Sequence, residues 1–259
     1  MNRNQNARTP SSLATNLLAK CTAEAFATFC LTFFGCGAAI VVFYNTGSAV
    51  AGHVTVSLAF GLVIMAMVFA TGHLSGAHIN PAVTVAFAVS RHFPVKNVIP
   101  YIMAQLLGAI AACAVLTPIV GHLRAAVSSP ELQEISFYGQ TVPTDITLLT
   151  ALGLEFVLTA VLMFVIMAVA TDHRVLGNMA GLAIGGTIAF EALAFGPLTG
   201  ASMNPARSLA PALFSNDWTA FSAYIIGPFA GGIAGSLLYN LIRCDESEER
   251  KSAEGCCET

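Results

Sequence analysis

Two copies of an Asn-Pro-Ala triplet, Asn80-Pro81-Ala82 and Asn204-Pro205-Ala206, stand out for their type and spacing. An Asn placed before Pro can cap a short helix whose first turn contains the Pro, where a missing N–H costs nothing. The capping amide is then free to donate hydrogen bonds toward a lumen. Residues 75–82 align with 199–206 at an offset of 124 without a gap. Gly76 and Gly200 precede the triplets and allow an extended backbone whose carbonyls face a pore. One triplet alone is an ordinary capped turn, whereas two in matched apolar settings are specific.

Ionisable residues in apolar stretches add further candidates, since such groups at membrane depth mark functional sites. Arg207 directly follows the second triplet. It can line a constriction, donating to permeants and repelling cations, or snorkel to the outer interface. Glu24 and Glu155 lie early in matching apolar runs. They are either interfacial residues at span ends or acceptors for the loop backbone before each triplet. Glu191 has no counterpart in the first half. It is either a buried, hydrogen-bonded or protonated acid packed against another helix or a partner for Arg207 and polar permeants. His73 and His78 are read into the first re-entrant loop, where an imidazole can tie loop backbone together; His73 could also titrate near a cytoplasmic mouth. No His, Cys, Asp or Glu spacing suggests a metal, no cofactor motif is present, and no nucleophile–base pair suggests an enzyme.

The surrounding composition says where these residues sit. Of 259 residues, 56% are hydrophobic and only 10% charged, against roughly a quarter charged in soluble domains. No Asp, Glu, Lys or Arg occurs between Glu24 and Arg91. Six apolar runs, roughly 20–44, 51–72, 97–120, 147–171, 178–198 and 218–242, are suited to crossing a bilayer, which takes about 20 residues as a helix. The first is too long for the apolar region of a cleaved signal. Two further segments, 75–90 and 199–214, are apolar but short and broken by Gly and Pro. Such half-length pairs point to a pore or binding site. The pattern predicts an all-α membrane protein: six transmembrane helices and two re-entrant half-helices in inverted repeats, 20–120 and 147–243. Residues 1–19 and 244–259 read as flanking tails.

Six crossings place both termini on one side. Arg3, Arg8, Lys20, Arg91, Lys96, Arg174, Arg243, Arg250 and Lys251 fall on that side, nine of the eleven basic residues. This bias makes the side cytoplasmic and the 121–146 connection external. A net charge of −3 argues against nucleic acid as a partner. Cys21, Cys30, Cys36 and Cys113 read as small core residues. For Cys244, Cys256 and Cys257 a disulfide, lipidation and an inert thiol all stay open, as does phosphorylation at Arg250-Lys251-Ser252.

With residues 72–82 and 200–208 in view, the chain resembles the aquaporin, or major intrinsic protein, family over about residues 20–243. The resemblance implies a homotetramer in a lipid bilayer with one pore per subunit, passing water and sometimes small uncharged solutes such as glycerol while excluding protons and ions. It also implies a filter of Phe60, Ala192, Ala201 and Arg207, and loop support from Glu24, Glu155, His73 and His78. Water-selective relatives usually carry His where Ala192 stands, so the filter is expected to be wider here. Residues 194–203 are similar to the nodulin-26-like branch, whose members often pass glycerol and uncharged metalloid acids; a facilitator of that kind with low water flux is the alternative. Ser208 and the bulky Phe60 lean back toward water. A secondary transporter is the rival from another class, since inverted repeats with broken helices build those too. The membrane is expected to be a plasma or bacterial inner membrane.

Many members of the family carry a pore cysteine at the position of Ala201, three residues before the second triplet. Mercurials should therefore inhibit water flux only weakly, as read by stopped-flow light scattering. Strong inhibition would place a reactive thiol on the conduction path.

Overall fold

The computed structural model describes residues 10–172 and 179–243. Its main elements are α1 (Pro10–Thr46), α2 (His53–Ser75), α3 (Pro81–Val89), α4 (Val98–Ala126), α5 (Pro130–Glu134), α6 (Leu148–Thr171), α7 (Ala180–Thr199), α8 (Pro205–Ser215) and α9 (Ala223–Ile242). Of these, α1, α2, α4, α6, α7 and α9 are long and apolar enough to span a membrane. α3 and α8 are the two half-helices. The all-α, six-span architecture read from the sequence is the one observed.

The packing follows the repeat. α1 lies against α4 and α6 against α9, while α2 and α7 pair across the two halves. Each half-helix also packs on the third span of the other half: α3 on α9, α8 on α4. The repeats are thus interlocked rather than adjacent. Small residues make the close crossings possible. A Cβ on Gly108 would lie 2.1 Å from the carbonyl oxygen of Ala25, and one on Gly231 would lie 2.1 Å from that of Phe156. Each contacted carbonyl belongs to the residue after a buried glutamate, Glu24 or Glu155. Without a hydrophobic drive between helices in lipid, such close backbone approach is a main source of packing energy. The outward faces stay apolar, with Leu62, Leu107, Leu149 and Leu241 largely exposed, as suits contact with lipid chains.

Several boundaries differ from the sequence reading. α1 begins at Pro10, ahead of the expected start at 20, so the helix runs back into the proposed tail. α4 runs on to Ala126, and the connection between the repeats contains the short helix α5. His73 lies in the last turn of α2 rather than in a loop. Cys30, Cys36 and Cys113 are buried, but Cys21 is only partly so. Ahead of the triplets the backbone is not simply extended. Gly76 and Gly200 are left-handed caps at φ 93° and 81°. Ala77 and Ile79, and their counterparts Ala201 and Met203, also have positive φ, from 41° to 57°. A β-branched residue such as Ile79 rarely takes that conformation, so its surroundings must hold it there. Arg174, Cys244, Cys256, Cys257 and Arg250-Lys251-Ser252 lie outside the described residues.

The helix crossings give a stability test. Gly231→Ala should lower the thermal midpoint in detergent, because overpacking of this kind costs about 1–3 kcal/mol. Gly153→Ala, where an added Cβ meets nothing within 4 Å, should leave it unchanged or slightly raised. Equal behaviour of the two variants would contradict the close crossing.

Candidate functional site: two clasped loops and a filter

The loops before the triplets meet in the middle of the molecule. Asn80 caps α3 through its Oδ1, which accepts from the Ala82 N–H at 2.8 Å, and Pro81 occupies the first turn. Asn204 does the same for α8, accepting from Ala206 N–H and Arg207 N–H. The amide nitrogens then cross over. Asn80 Nδ2 donates to the Met203 carbonyl at 2.7 Å, and Asn204 Nδ2 donates to the Ile79 carbonyl at 2.9 Å. This modifies the expectation of amides left free for a lumen. An amide nitrogen has two N–H groups, and one of each pair is committed to clasping the opposite loop. Pro81, Ala82, Pro205 and Ala206 are all buried at this junction.

Two buried carboxylates hold the loops from behind. Glu24 is fully buried and accepts from His78 N–H, Ile79 N–H, the Ser75 hydroxyl and the Gln105 amide, at 2.7–2.9 Å. Glu155, also fully buried, accepts from Ser202 N–H at 2.9 Å and Met203 N–H at 2.8 Å. The Thr199 hydroxyl, counterpart of Ser75, is a further donor to it. Burying a carboxylate is costly, and the several charge-assisted bonds made here offset that desolvation. The caps are tied as well: Tyr101 donates to the Ser75 carbonyl and Tyr224 to the Thr199 carbonyl, both at 2.8 Å. Tyr101, Tyr224 and Gln105 were missed in the sequence, although the two tyrosines lie 123 residues apart, close to the repeat offset.

The remaining donors differ between the loops. In the first, His78 Nδ1 lies 3.1 Å from the Thr84 hydroxyl, which also bonds Gln105. In the second, Ser202 and Ser208 take those two positions and bond to one another, and Ser208 continues to Thr141 at 2.8 Å. Thr141 belongs to the connection between the repeats, whose part in the site the sequence did not reveal.

Arg207 lies beyond the clasp. Its guanidinium donates to the Gly139 carbonyl at 2.7 Å and sits 4.7 Å from the Phe60 ring centroid. The Phe60 ring is backed by Gly35, where a Cβ would come within 2.1 Å of it. Arginine, ring and carbonyl therefore brace one another, with the arginine 5% exposed. The expected pairing of Glu191 with Arg207 is not found. Neither carboxyl oxygen of Glu191 has a hydrogen-bond partner among the described residues, and the guanidinium of Arg207 donates to Gly139 instead. Of the reading of Glu191 as a buried, hydrogen-bonded or protonated acid, the burial is observed and the hydrogen bonds are not.

A cavity of about 500 Å³ runs past these groups. Phe60, Ala201, Arg207, Asn80, Asn204 and His73 all line it. His73 is exposed there and makes no side-chain hydrogen bond to loop backbone among the described residues, so only His78 ties the loop. Glu24, Glu155 and Glu191 lie outside the wall. So does Ala192, buried one turn beyond the lining residue Ile188 on α7. Three of the four expected filter residues thus meet at the cavity and the fourth is set back. No group of three or more His, Cys, Asp or Glu among the described residues could hold a metal.

A pair of inverted three-helix repeats with half-helices meeting N-terminus to N-terminus defines a class of membrane channel. Residues 11–239 match the Major intrinsic protein family, and the chain belongs to it. It is 43% identical to aquaporin NIP1-1 of Zea mays, over 86% of this chain and 74% of that protein. Nodulin-26 of Glycine max is 42% identical over 95% of this chain and 87% of its own. The aquaglyceroporin from Plasmodium falciparum superposes with a TM-score of 0.74 at 25% identity, covering 88% of this chain and 97% of that one. The protein is an integral, multi-pass membrane channel and not an enzyme.

The carboxylates give a paired prediction. Each buried donor left without an acceptor costs about 1–3 kcal/mol. Glu24→Ala, which strands four donors, should lower the thermal midpoint more than Glu155→Ala. Glu155→Ala should chiefly impair flux, because its loop carries Ala201 and leads into Arg207. Unimpaired flux in Glu155→Ala would remove that residue from the support of the site.

Proposed function

We propose that this protein conducts water and small uncharged solutes such as glycerol passively, and excludes protons and ions. The supporting observation is the clasp: two helix N-termini meet beside the cavity, each capped by an asparagine with one amide N–H still uncommitted. Opposed N-termini concentrate positive potential at that point, which repels cations and spares neutral molecules. A chain of waters passing the two amides must orient toward them, which interrupts proton relay.

The filter we assign to Phe60, Ala192, Ala201 and Arg207. Arg207 offers donors to a hydroxyl-bearing solute while Phe60 offers it an apolar face, a combination that fits a polyol as well as water. Ala192 contributes only a methyl set back from the cavity, leaving room that an imidazole would fill. This observation also favours the second reading, a facilitator of glycerol and uncharged metalloid acids with low water flux. The similarity to nodulin-26 supports the same direction. The other parts of the proposal are a homotetramer, both termini cytoplasmic, and a plasma or bacterial inner membrane.

Stopped-flow measurement of water, glycerol and urea flux in proteoliposomes tests the proposal. The wild type should pass water and glycerol well above empty vesicles. Ala192→His should reduce glycerol flux about tenfold, equivalent to about 1.4 kcal/mol of added barrier, with water flux largely retained. Water flux without glycerol flux would overturn the wide filter, and cation currents in planar bilayers would overturn the exclusion of ions.

A further inference from the structure

The acceptor that fixes the Arg207 guanidinium is a backbone carbonyl, so whatever fixes Gly139 also fixes the arginine. Residues 135–144 belong to no helix, yet Phe137, Tyr138, Gly139 and Thr141 are buried. The stretch is a strap laid into the protein. Its later half is anchored several times over. Thr141 bonds Ser208 at 2.8 Å and packs on Gly200, where a Cβ would lie 2.9 Å from the threonine methyl. The Thr144 N–H donates to the Leu198 carbonyl at 2.9 Å.

The earlier half runs along α1. The Phe137 ring lies 4.3 Å from that of Phe43, centroid to centroid. Gly139, at φ 71°, rests on α1 backbone, and a Cβ there would come within 3.1 Å of the Cys36 Cα. Cys36 and Phe43 are seven residues apart, two turns along one face of the helix. The polar hold on this half comes from Tyr44. Its hydroxyl donates to the Ile135 carbonyl at 2.7 Å and accepts from the Phe137 N–H at 3.2 Å. Among the described residues, no other element supplies a side chain that bonds the backbone of 135–138. Tyr44 is 3% exposed and lies outside the cavity wall, so its hydroxyl acts on the strap and not on a permeant.

We propose that Tyr44 is a positioning residue for solute selectivity: by holding the strap at Ile135 and Phe137, its hydroxyl keeps the Gly139 carbonyl in place for Arg207. Without the hydroxyl, the buried Phe137 N–H has no acceptor, a cost that the strap relieves by shifting. One residue separates Phe137 from Gly139, so the shift carries to the carbonyl. Arg207 then loses its fixed acceptor and turns its donors toward the cavity, where water can accept them. A guanidinium leaning into the constriction obstructs a polyol more than it obstructs water.

The effect on flux rests on the channel reading, and the experiment separates the two. Glycerol and water flux are measured in proteoliposomes of the wild type and Tyr44→Phe, which keeps the ring and removes only the hydroxyl. The glycerol-to-water ratio should fall several-fold. A merely structural loss removes working channels and lowers both fluxes in proportion, so an unchanged or raised ratio overturns the proposal. Solid-state NMR with isotope-labelled arginine reads Arg207 without any flux, its signals assigned by their loss in Arg207→Lys. The wild type should give two separate Nη signals, because the bond to Gly139 stops rotation of the guanidinium, and Tyr44→Phe should merge them. Merged signals in the wild type, or separate ones in Tyr44→Phe, overturn the proposal. A wild type that passes no glycerol would instead overturn the wide filter, leaving the NMR result to judge Tyr44.

Discussion

A backbone that unwinds at the centre of a membrane must satisfy every freed N–H and C=O without bulk water, and the rest of this structure depends on how that is done. Glu24 and Glu155 collect the N–H groups of the two loops, while the crossed amides of Asn80 and Asn204 collect a carbonyl from each. These bonds hold Ala77, Ile79, Ala201 and Met203 at positive φ. The energy to maintain four such conformations comes from acceptors buried behind the loops, leaving the cavity side of each loop free for a permeant. The close crossings of α1 with α4 and of α6 with α9 belong to the same device, because each brings a third span against the helix that carries the carboxylate.

The same arrangement explains why the repeats can diverge without losing the fold. Each needs a carboxylate, a hydroxyl at the cap, a tyrosine on the third span and a capping asparagine. Beyond that set, the first loop is closed by His78, Thr84 and Gln105, all within its own half. The second is closed by Ser202 and Ser208, and the hydrogen bonds continue to Thr141 on the connection between the repeats. One loop is a self-contained support, whereas the other is joined to a buried stretch of that connection, which also supplies the acceptor for Arg207.

Much of this could be read from the sequence, and the omissions have physical causes. The six spans and the half-helices are marked by runs without charge and by Pro after Asn, both local signals. The triplets, Arg207 and the two support glutamates are marked because a polar group in an apolar run has few explanations. Gly139 and Thr141 carry no such mark: what matters at Gly139 is a backbone carbonyl, which every residue has. Gln105 is neutral and resembles any polar residue in a span. The placement of Ala192 and the isolation of Glu191 depend on small rotations of α7, which periodicity does not resolve. His73 was read into a loop because α2 continues one turn past the point where its apolar run appears to end.

In the proposed function, selectivity follows from where these unmarked residues sit. The guanidinium of Arg207 has to be held by something other than a carboxylate, since an ion pair would cancel the charge that repels cations. A carbonyl fixes the group and leaves its charge intact, and Phe60 fixes the other face without adding charge of its own. The filter is thus electrostatically open and sterically braced. On the α7 side of the proposed filter the small Ala192, set behind the cavity wall, puts no polar group against the permeant. That proposal lets a wider solute pass with its hydroxyls turned toward Arg207 and its carbon chain toward Phe60. The charge rule and the size rule therefore rest on different residues, which allows solute range to change at α7 while the clasp and the exclusion of cations stay as they are.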